Sequence, residues 1–186
     1  LPRKNPGQDS TGTLLLDSTD RIFFCGDLNY RLDLSREEVE CTLKEMKEIS
    51  ERNDVDERRR VEEMRQRLLR FDQLRQSVAL ERAFPGFSEG RIEFPPTFKF
   101  DKGTDDYDTL HKQRIPAWTD RILFKPTATR AIEYNSVNEC QHSDHRPVFA
   151  TFRVGMAGRV LPQSRKRASS KRSTGAKNQR GPVGHA

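Results

Sequence analysis

Three short polar clusters, each set against a run of mostly apolar residues, constrain this chain more than any other feature. Asp27 and Asn29 follow residues 22–25, Ile-Phe-Phe-Cys. Residues 114–124 read Arg-Ile-Pro-Ala-Trp-Thr-Asp-Arg-Ile-Leu-Phe and hold the single tryptophan, a stiffening proline and an Asp-Arg pair. Residues 143–146, Ser-Asp-His-Arg, precede Pro-Val-Phe-Ala-Thr-Phe. Short apolar runs bounded by turn-forming residues read as strands. Polar groups at strand ends are how a rigid scaffold aims side chains at a site. The clusters lie far apart in sequence, so the pattern predicts one site that the fold must assemble.

The rest of the chain reads as a framework for those strands. Residues 1–19, rich in Pro, Gly, Ser and Thr, read as loop. Residues 22–25 read as a buried strand. Ser35 with Glu38 forms a capping box, in which each side chain satisfies the other's orphan backbone N–H. Val39, Leu43, Met46 and Ile49 then keep helical spacing. Asn53-Asp54 breaks that helix. A second helical pattern runs through Val61, Met64, Leu68, Phe71 and Leu74, with the charges of residues 56–63 on its solvated face. Residues 84–87, Phe-Pro-Gly-Phe, mark a turn. Residues 92–100 carry two prolines and read as an irregular or edge strand, and 101–108 as an acidic loop. Strands are expected at 121–125, 131–137 and 146–154. Strand, helices, then several strands predicts an α/β layered domain over residues 20–154.

Composition fits such a domain with a polar appendage. Hydrophobic residues make up 33% and charged residues 33%, with a mean hydropathy of −0.89. The net charge is +6, but residues 159–186 hold eight Lys or Arg and no acid. Without those eight, 26 basic residues face 28 acidic ones, so the basic pI belongs to the tail and says little about a substrate. Residues 155–186 are predicted to be a disordered basic tail. The three cysteines, Cys25, Cys41 and Cys140, form no CxxC pair, which argues against a disulfide framework or zinc site and fits a reducing compartment. No apolar run reaches membrane-spanning length, and no signal peptide is visible.

Each cluster has a chemical reading beside a structural one. His145 can hold or share a proton near neutral pH, and the neighbouring Asp144 can tune it. On an extended segment Asp27 and Asn29 face one side, where the carboxylate can position or deprotonate a water and the amide can donate to a phosphoryl oxygen. A Gly-Asp turn capped by side chains is the alternative. Asp120 and Arg121 read either as an ion pair that holds a strand end or, for Asp120, as the group that orients His145; spacing leaves both open. Lys99, between Phe98 and Phe100, points away from the two rings toward solvent or a ligand. With Lys112 and Arg114 it supplies cations suited to an anionic substrate, while Lys102 reads by default as a solvated lysine.

Together these motifs resemble the inositol polyphosphate 5-phosphatases. The resemblance rests on residues 24–31 (FCGDLNYR), 71–74 (FDQL), 87–90 (FSEG), 94–100 (FPPTFKF), 114–123 (RIPAWTDRIL) and 143–148 (SDHRPV). It implies the C-terminal half of a DNase-I-like two-sheet α/β sandwich with outer helices. It also implies Mg2+-dependent hydrolysis of the 5-phosphate from phosphoinositides such as PtdIns(4,5)P2 or soluble inositol polyphosphates. Carried over by position, Asp27 resembles the carboxylate that orients or activates water, Asn29 a phosphate-contacting amide, His145 the phosphate-binding histidine and Asp120 its carboxylate partner. Asp144 would lie near the metal. Lys99, Lys112 and Arg114 fall where the family binds the 4-phosphate. Metal and dispersed cations suit phosphoryl transfer, which relies on positioning and charge neutralisation.

Departures are visible too. Thr119 stands where the family usually has Cys, Cys25 where it often has Leu, and the charged stretch near 50–67 looks like an insertion. The family's first half, with the main metal ligands, has no counterpart here, so this stretch alone is expected to be inactive. Two alternatives are a nuclease of the same superfamily and a non-catalytic adaptor that binds anionic membrane or nucleic acid through its tail. The expected setting is cytoplasmic, peripheral at anionic membranes, with no specific nucleic acid partner. The basic tail also reads as a nuclear-import signal.

Overall fold

The computed structural model describes residues 21–51 and 54–155. The expected opening loop, the basic tail from residue 156 and Asn53 lie outside the described residues. Among the described residues, five strands and three helices follow in the order β1 (Phe23–Asp27), α1 (Arg36–Ser50), α2 (Val55–Leu69), α3 (Gln73–Ala79), β2 (Ser88–Glu89), β3 (Asp120–Phe124), β4 (Thr129–Ser136) and β5 (Val148–Val154). They form two antiparallel sheets, β1-β3-β2 and β4-β5. Phe152 of β5 packs on Phe23 and Phe124, with ring centroids 4.7 and 5.0 Å apart, and so joins the sheets. The arrangement is the expected α/β half-sandwich.

Local sequence explains the helices. Ser35 closes the capping box on α1: its Oγ accepts from the Glu38 N–H at 3.2 Å, and Glu38 Oε2 accepts from the Ser35 N–H at 3.0 Å. Val39, Met46 and Ile49 bury one face of α1 against Val61, Leu68 and Leu69 of α2. Each such side chain is worth about 1.5–3 kcal/mol on burial. The same cluster contains Ile92, Phe94, Tyr134 and a fully buried Trp118, whose indole N–H donates to the Phe94 carbonyl at 3.0 Å.

Two expectations need correction. The second helical pattern is two helices: α2 ends at Leu69, and Asp72 caps α3 by accepting from the Arg75 N–H at 2.9 Å. Phe71 falls in the break and is 37% exposed. Periodicity missed the break because a cap acts through one side chain, not through spacing. Residues 92–100 form only isolated bridges, at Phe98 and Phe100, as their prolines predict. The second correction is β1, which is exposed along its whole length rather than buried. Among the described residues it pairs only with β3, at the edge of the sheet, and its Phe24 covers Phe84 of the turn at 5.0 Å.

Arg121 ties the halves of this framework together. Fully buried, it donates from Nη1 to both oxygens of Asp72 at 3.0 and 2.9 Å and makes a two-pronged pair with Glu89, at 2.7 Å from both Nε and Nη2. Tyr134 donates to Glu89 at 3.0 Å and accepts from the Ile122 N–H. The buried charge is therefore paired and hydrogen-bonded, the condition under which an arginine is tolerated in a core. Gly90 permits the approach of Tyr134, whose Cβ would stand 2.9 Å from any Cβ placed there. Asp120 and Arg121, read as a possible pair, do not meet. Adjacent strand residues point to opposite faces, so Arg121 enters the core and Asp120 turns to the site.

Candidate active site

Three remote stretches are laced side by side. Phe98 exchanges backbone hydrogen bonds with Ala117 at 3.2 and 2.8 Å; the Arg146 N–H donates to Thr97 O at 2.8 Å and the Phe100 N–H to Asp144 O at 2.9 Å. This lacing brings His145 beside Asp120 at the start of β3. In the β1–β3 register Asp120 stands opposite Asp27, and the Leu28 N–H donates to Thr119 O at 2.8 Å just beyond.

His145 Nδ1 lies 3.0 Å from Asp120 Oδ2 and 3.1 Å from Oδ1. With Nδ1 bonded to the carboxylate, Nε2 is the nitrogen left for a ligand. The bond to Asp120 raises the His145 pKa; partial burial opposes this, and Asp120, Asp27 and Asp144 add to it through their charges. Burial pushes the Asp120 carboxyl up, but hydrogen bonds from His145, Thr97 and Thr119 and the His145 charge outweigh it, so the group sits below its ordinary value.

Asp27 and Asn29 are exposed at the end of β1, but not through extended geometry. Asn29 has φ 58°, in the left-handed region that Asn tolerates better than most residues, and its N–H donates to Asp27 Oδ1 at 2.9 Å. Strand alternation therefore fails here: an Asx turn sets the two side chains. The Asn29 amide oxygen accepts from the Arg31 guanidinium, which leaves the amide N–H groups for the site. Arg31 rests over the Phe98 ring at 4.5 Å, the same ring that lies 4.5 Å from the His145 imidazole.

The cations are less uniform than their spacing implies. Lys99 does not point freely outward: its Nζ pairs with Asp108 Oδ1 at 3.0 Å. The other oxygen of Asp108 accepts the Arg114 N–H at 2.7 Å, so one buried carboxylate fixes both residues. Arg114 is exposed at the rim, within electrostatic reach of Arg31. Lys112 is exposed in the same loop, and no contact among the described residues ties it to the others. Asp144 is half-buried beside His145.

The described residues do not form a metal site on their own. No group of three or more His, Cys, Asp or Glu side chains is gathered for one. Asp120 is committed to His145 and two hydroxyls, which leaves Asp27 and Asp144 as the carboxylates near the histidine.

Sequence reasoning gave no role to Arg31, Asp108, Thr97, Asp72 or Glu89. Arg31, Thr97, Asp72 and Glu89 all lie inside the quoted motifs, a signal that could have singled them out. Asp108 had none beyond membership of an acidic loop.

Comparison with known proteins places this geometry. Residues 5–151 match the family described as endonuclease/exonuclease/phosphatase family 2. The Saccharomyces cerevisiae phosphatidylinositol 4,5-bisphosphate 5-phosphatase INP51 is 41% identical over 141 residues, which are 76% of this chain and 13% of that protein. The inositol polyphosphate 5-phosphatase domain of SPsynaptojanin, solved in complex with inositol (1,4)-bisphosphate and calcium ion, superposes with a TM-score of 0.61 at 40% identity, covering 73% of this chain and 34% of that one. A mutant of Cimex nitrophorin, in its ferrous NO complex, matches with a TM-score of 0.58 at 30% identity, covering 74% of this chain and 43% of that one. The chain thus spans about a third of the solved phosphatase domain. A fold that also matches a nitrophorin does not by itself decide the chemistry. The motifs, the fold and the matched span agree that this chain belongs to the endonuclease/exonuclease/phosphatase family 2, with inositol polyphosphate 5-phosphatases among its relatives.

Proposed function

We propose that the whole protein removes the 5-phosphate from phosphoinositides such as PtdIns(4,5)P2, or from soluble inositol polyphosphates. The observation that carries the reading is the His145–Asp120 pair opposite Asp27, rimmed by Lys99 and Arg114. Protonated His145 donates from Nε2 to a phosphoryl oxygen and stabilises the charge that grows there. Asp120 holds the ring and favours the imidazolium. Asp27 orients the attacking water and takes up its proton. The Asn29 amide donates to the phosphoryl group. Lys99, Lys112 and Arg114 receive the neighbouring 4-phosphate; after pairing with Asp108, Lys99 still has two ammonium protons to give.

A divalent cation, Mg2+, belongs to this reading, with Asp144 near it. The described residues do not complete its ligand set on their own. The proposed setting is cytoplasmic, at the surface of anionic membranes, with residues 159–186 as a basic attachment segment.

The test is phosphate release by the full-length protein from PtdIns(4,5)P2 vesicles and from inositol trisphosphate, with plain and abasic DNA as competing substrates. Release from the inositol substrates with no DNA cleavage is expected. His145→Ala should reduce the rate by about 100-fold or more, the scale of a lost general acid–base or oxyanion contact. DNA cleavage in preference to phosphate release would replace this reading with a nuclease.

A further inference from the structure

Two threonines converge on one oxygen of Asp120. Thr97 Oγ donates to Asp120 Oδ2 at 2.7 Å and Thr119 Oγ to the same atom at 3.0 Å, and both residues are fully buried. They come from different stretches, Thr97 from the segment laced between Ala117 and Arg146, and Thr119 from the residue before β3. A carboxylate turns easily about its last bond, because that torsion is broad and two-fold. Here the plane is defined: both oxygens stand within 3.1 Å of His145 Nδ1, a geometry that a freely turning group would not keep. Each threonine is stiff at χ1, so its hydroxyl is pre-aimed. Replacing either hydroxyl by a methyl group would leave a mostly buried carboxylate with one donor fewer.

We propose that Thr97 and Thr119 are positioning residues that lock the plane of the Asp120 carboxylate, and through it aim His145 Nε2 at the phosphoryl group. The proposal rests on the reading of His145 and Asp120 given above. It also makes Thr119 more than a neutral replacement for cysteine, since a thiol is only a weak donor.

The direct readout is the imidazole Nδ1–H proton of His145, followed by NMR in the full chain. In the wild type this resonance should lie downfield of the amides and vanish in Asp120→Asn. Thr97→Val and Thr119→Val should each speed its exchange with water by about tenfold, the scale of one lost hydrogen bond to a charged group. Thr97→Ser and Thr119→Ser should restore it. Thr119→Cys supplies the same readout if a valine variant does not fold. In the full-length enzyme the valine variants should lower kcat with KM unchanged, and should cost nothing further in the Asp120→Asn background. A resonance that depends on Asp120 but ignores both threonines overturns the clamp alone. One that ignores Asp120 overturns the pair and the clamp together.

Discussion

Lys99 and Asp108 form a 3.0 Å ion pair in which the carboxylate is fully buried, and the same carboxylate accepts the backbone N–H of Arg114. The loop between them is thereby closed onto one anion, and two proposed 4-phosphate contacts share one anchor. Burial pushes the Asp108 carboxyl up, but the Arg114 N–H and Lys99, with Arg36 nearby, hold it below its ordinary value. Asp108→Asn should therefore raise KM for substrates with a 4-phosphate by about tenfold, a loss of roughly 1.4 kcal/mol, with kcat little changed. Substrates lacking that phosphate should be affected less. Steady-state kinetics on the two substrate classes checks this.

Arg121 should be the most destabilising site to alter. Asp72→Ala or Glu89→Ala leaves its buried charge underpaired, at a cost of about 3–5 kcal/mol. Arg121→Lys keeps the charge but loses the planar fork, and should fall between those variants and wild type. Urea unfolding followed by circular dichroism gives the ranking.

The pair at the site makes stability depend on pH in a defined window. His145 is raised by its bond to Asp120, so its contribution is full below the ordinary imidazole value and is lost as pH rises through the folded one. Asp120 is lowered despite burial, so its contribution is full above the ordinary carboxyl value and is lost as pH falls through the folded one. The pair therefore contributes most between about pH 4 and 6.5. Both side chains are partly exposed, so the amount is about 1 kcal/mol or less. His145→Gln and Asp120→Asn should each flatten this part of the stability–pH curve, measured by thermal unfolding across buffers.

Asn29 separates a backbone role from a chemical one. Its left-handed φ is tolerated by Asn and easier still for Gly. Asn29→Gly and Asn29→Ala both remove the amide, so both should lower kcat alike. Asn29→Ala should be the less stable of the two by about 1 kcal/mol, the cost of an alanine held in that region. Kinetics and denaturant unfolding of the two variants, run together, test both halves of this expectation.

Much of this molecule was legible in one dimension. The Ser35 capping box, the helical face of Val39, Met46 and Ile49, and the strands after Asp120 and His145 are local, periodic features that propensity and spacing encode directly. The meeting of Asp27, Asp120 and His145 was expected from motifs rather than from spacing, and the lacing of residues 97–100 between Ala117 and Arg146 is what brings His145 to Asp120. The exposed β1 and the split helix escape the local pattern because burial and capping depend on neighbours it does not contain. Likewise, nothing near Arg121 in sequence shows that Asp72 and Glu89 are its partners, or that Asp108 anchors Lys99 and Arg114. The sequence by itself determined which elements form and which residue types are available for chemistry, since these follow from short-range preferences. Tertiary structure alone decided which charges are paired, because a buried ion is held by groups that only folding brings within 3 Å.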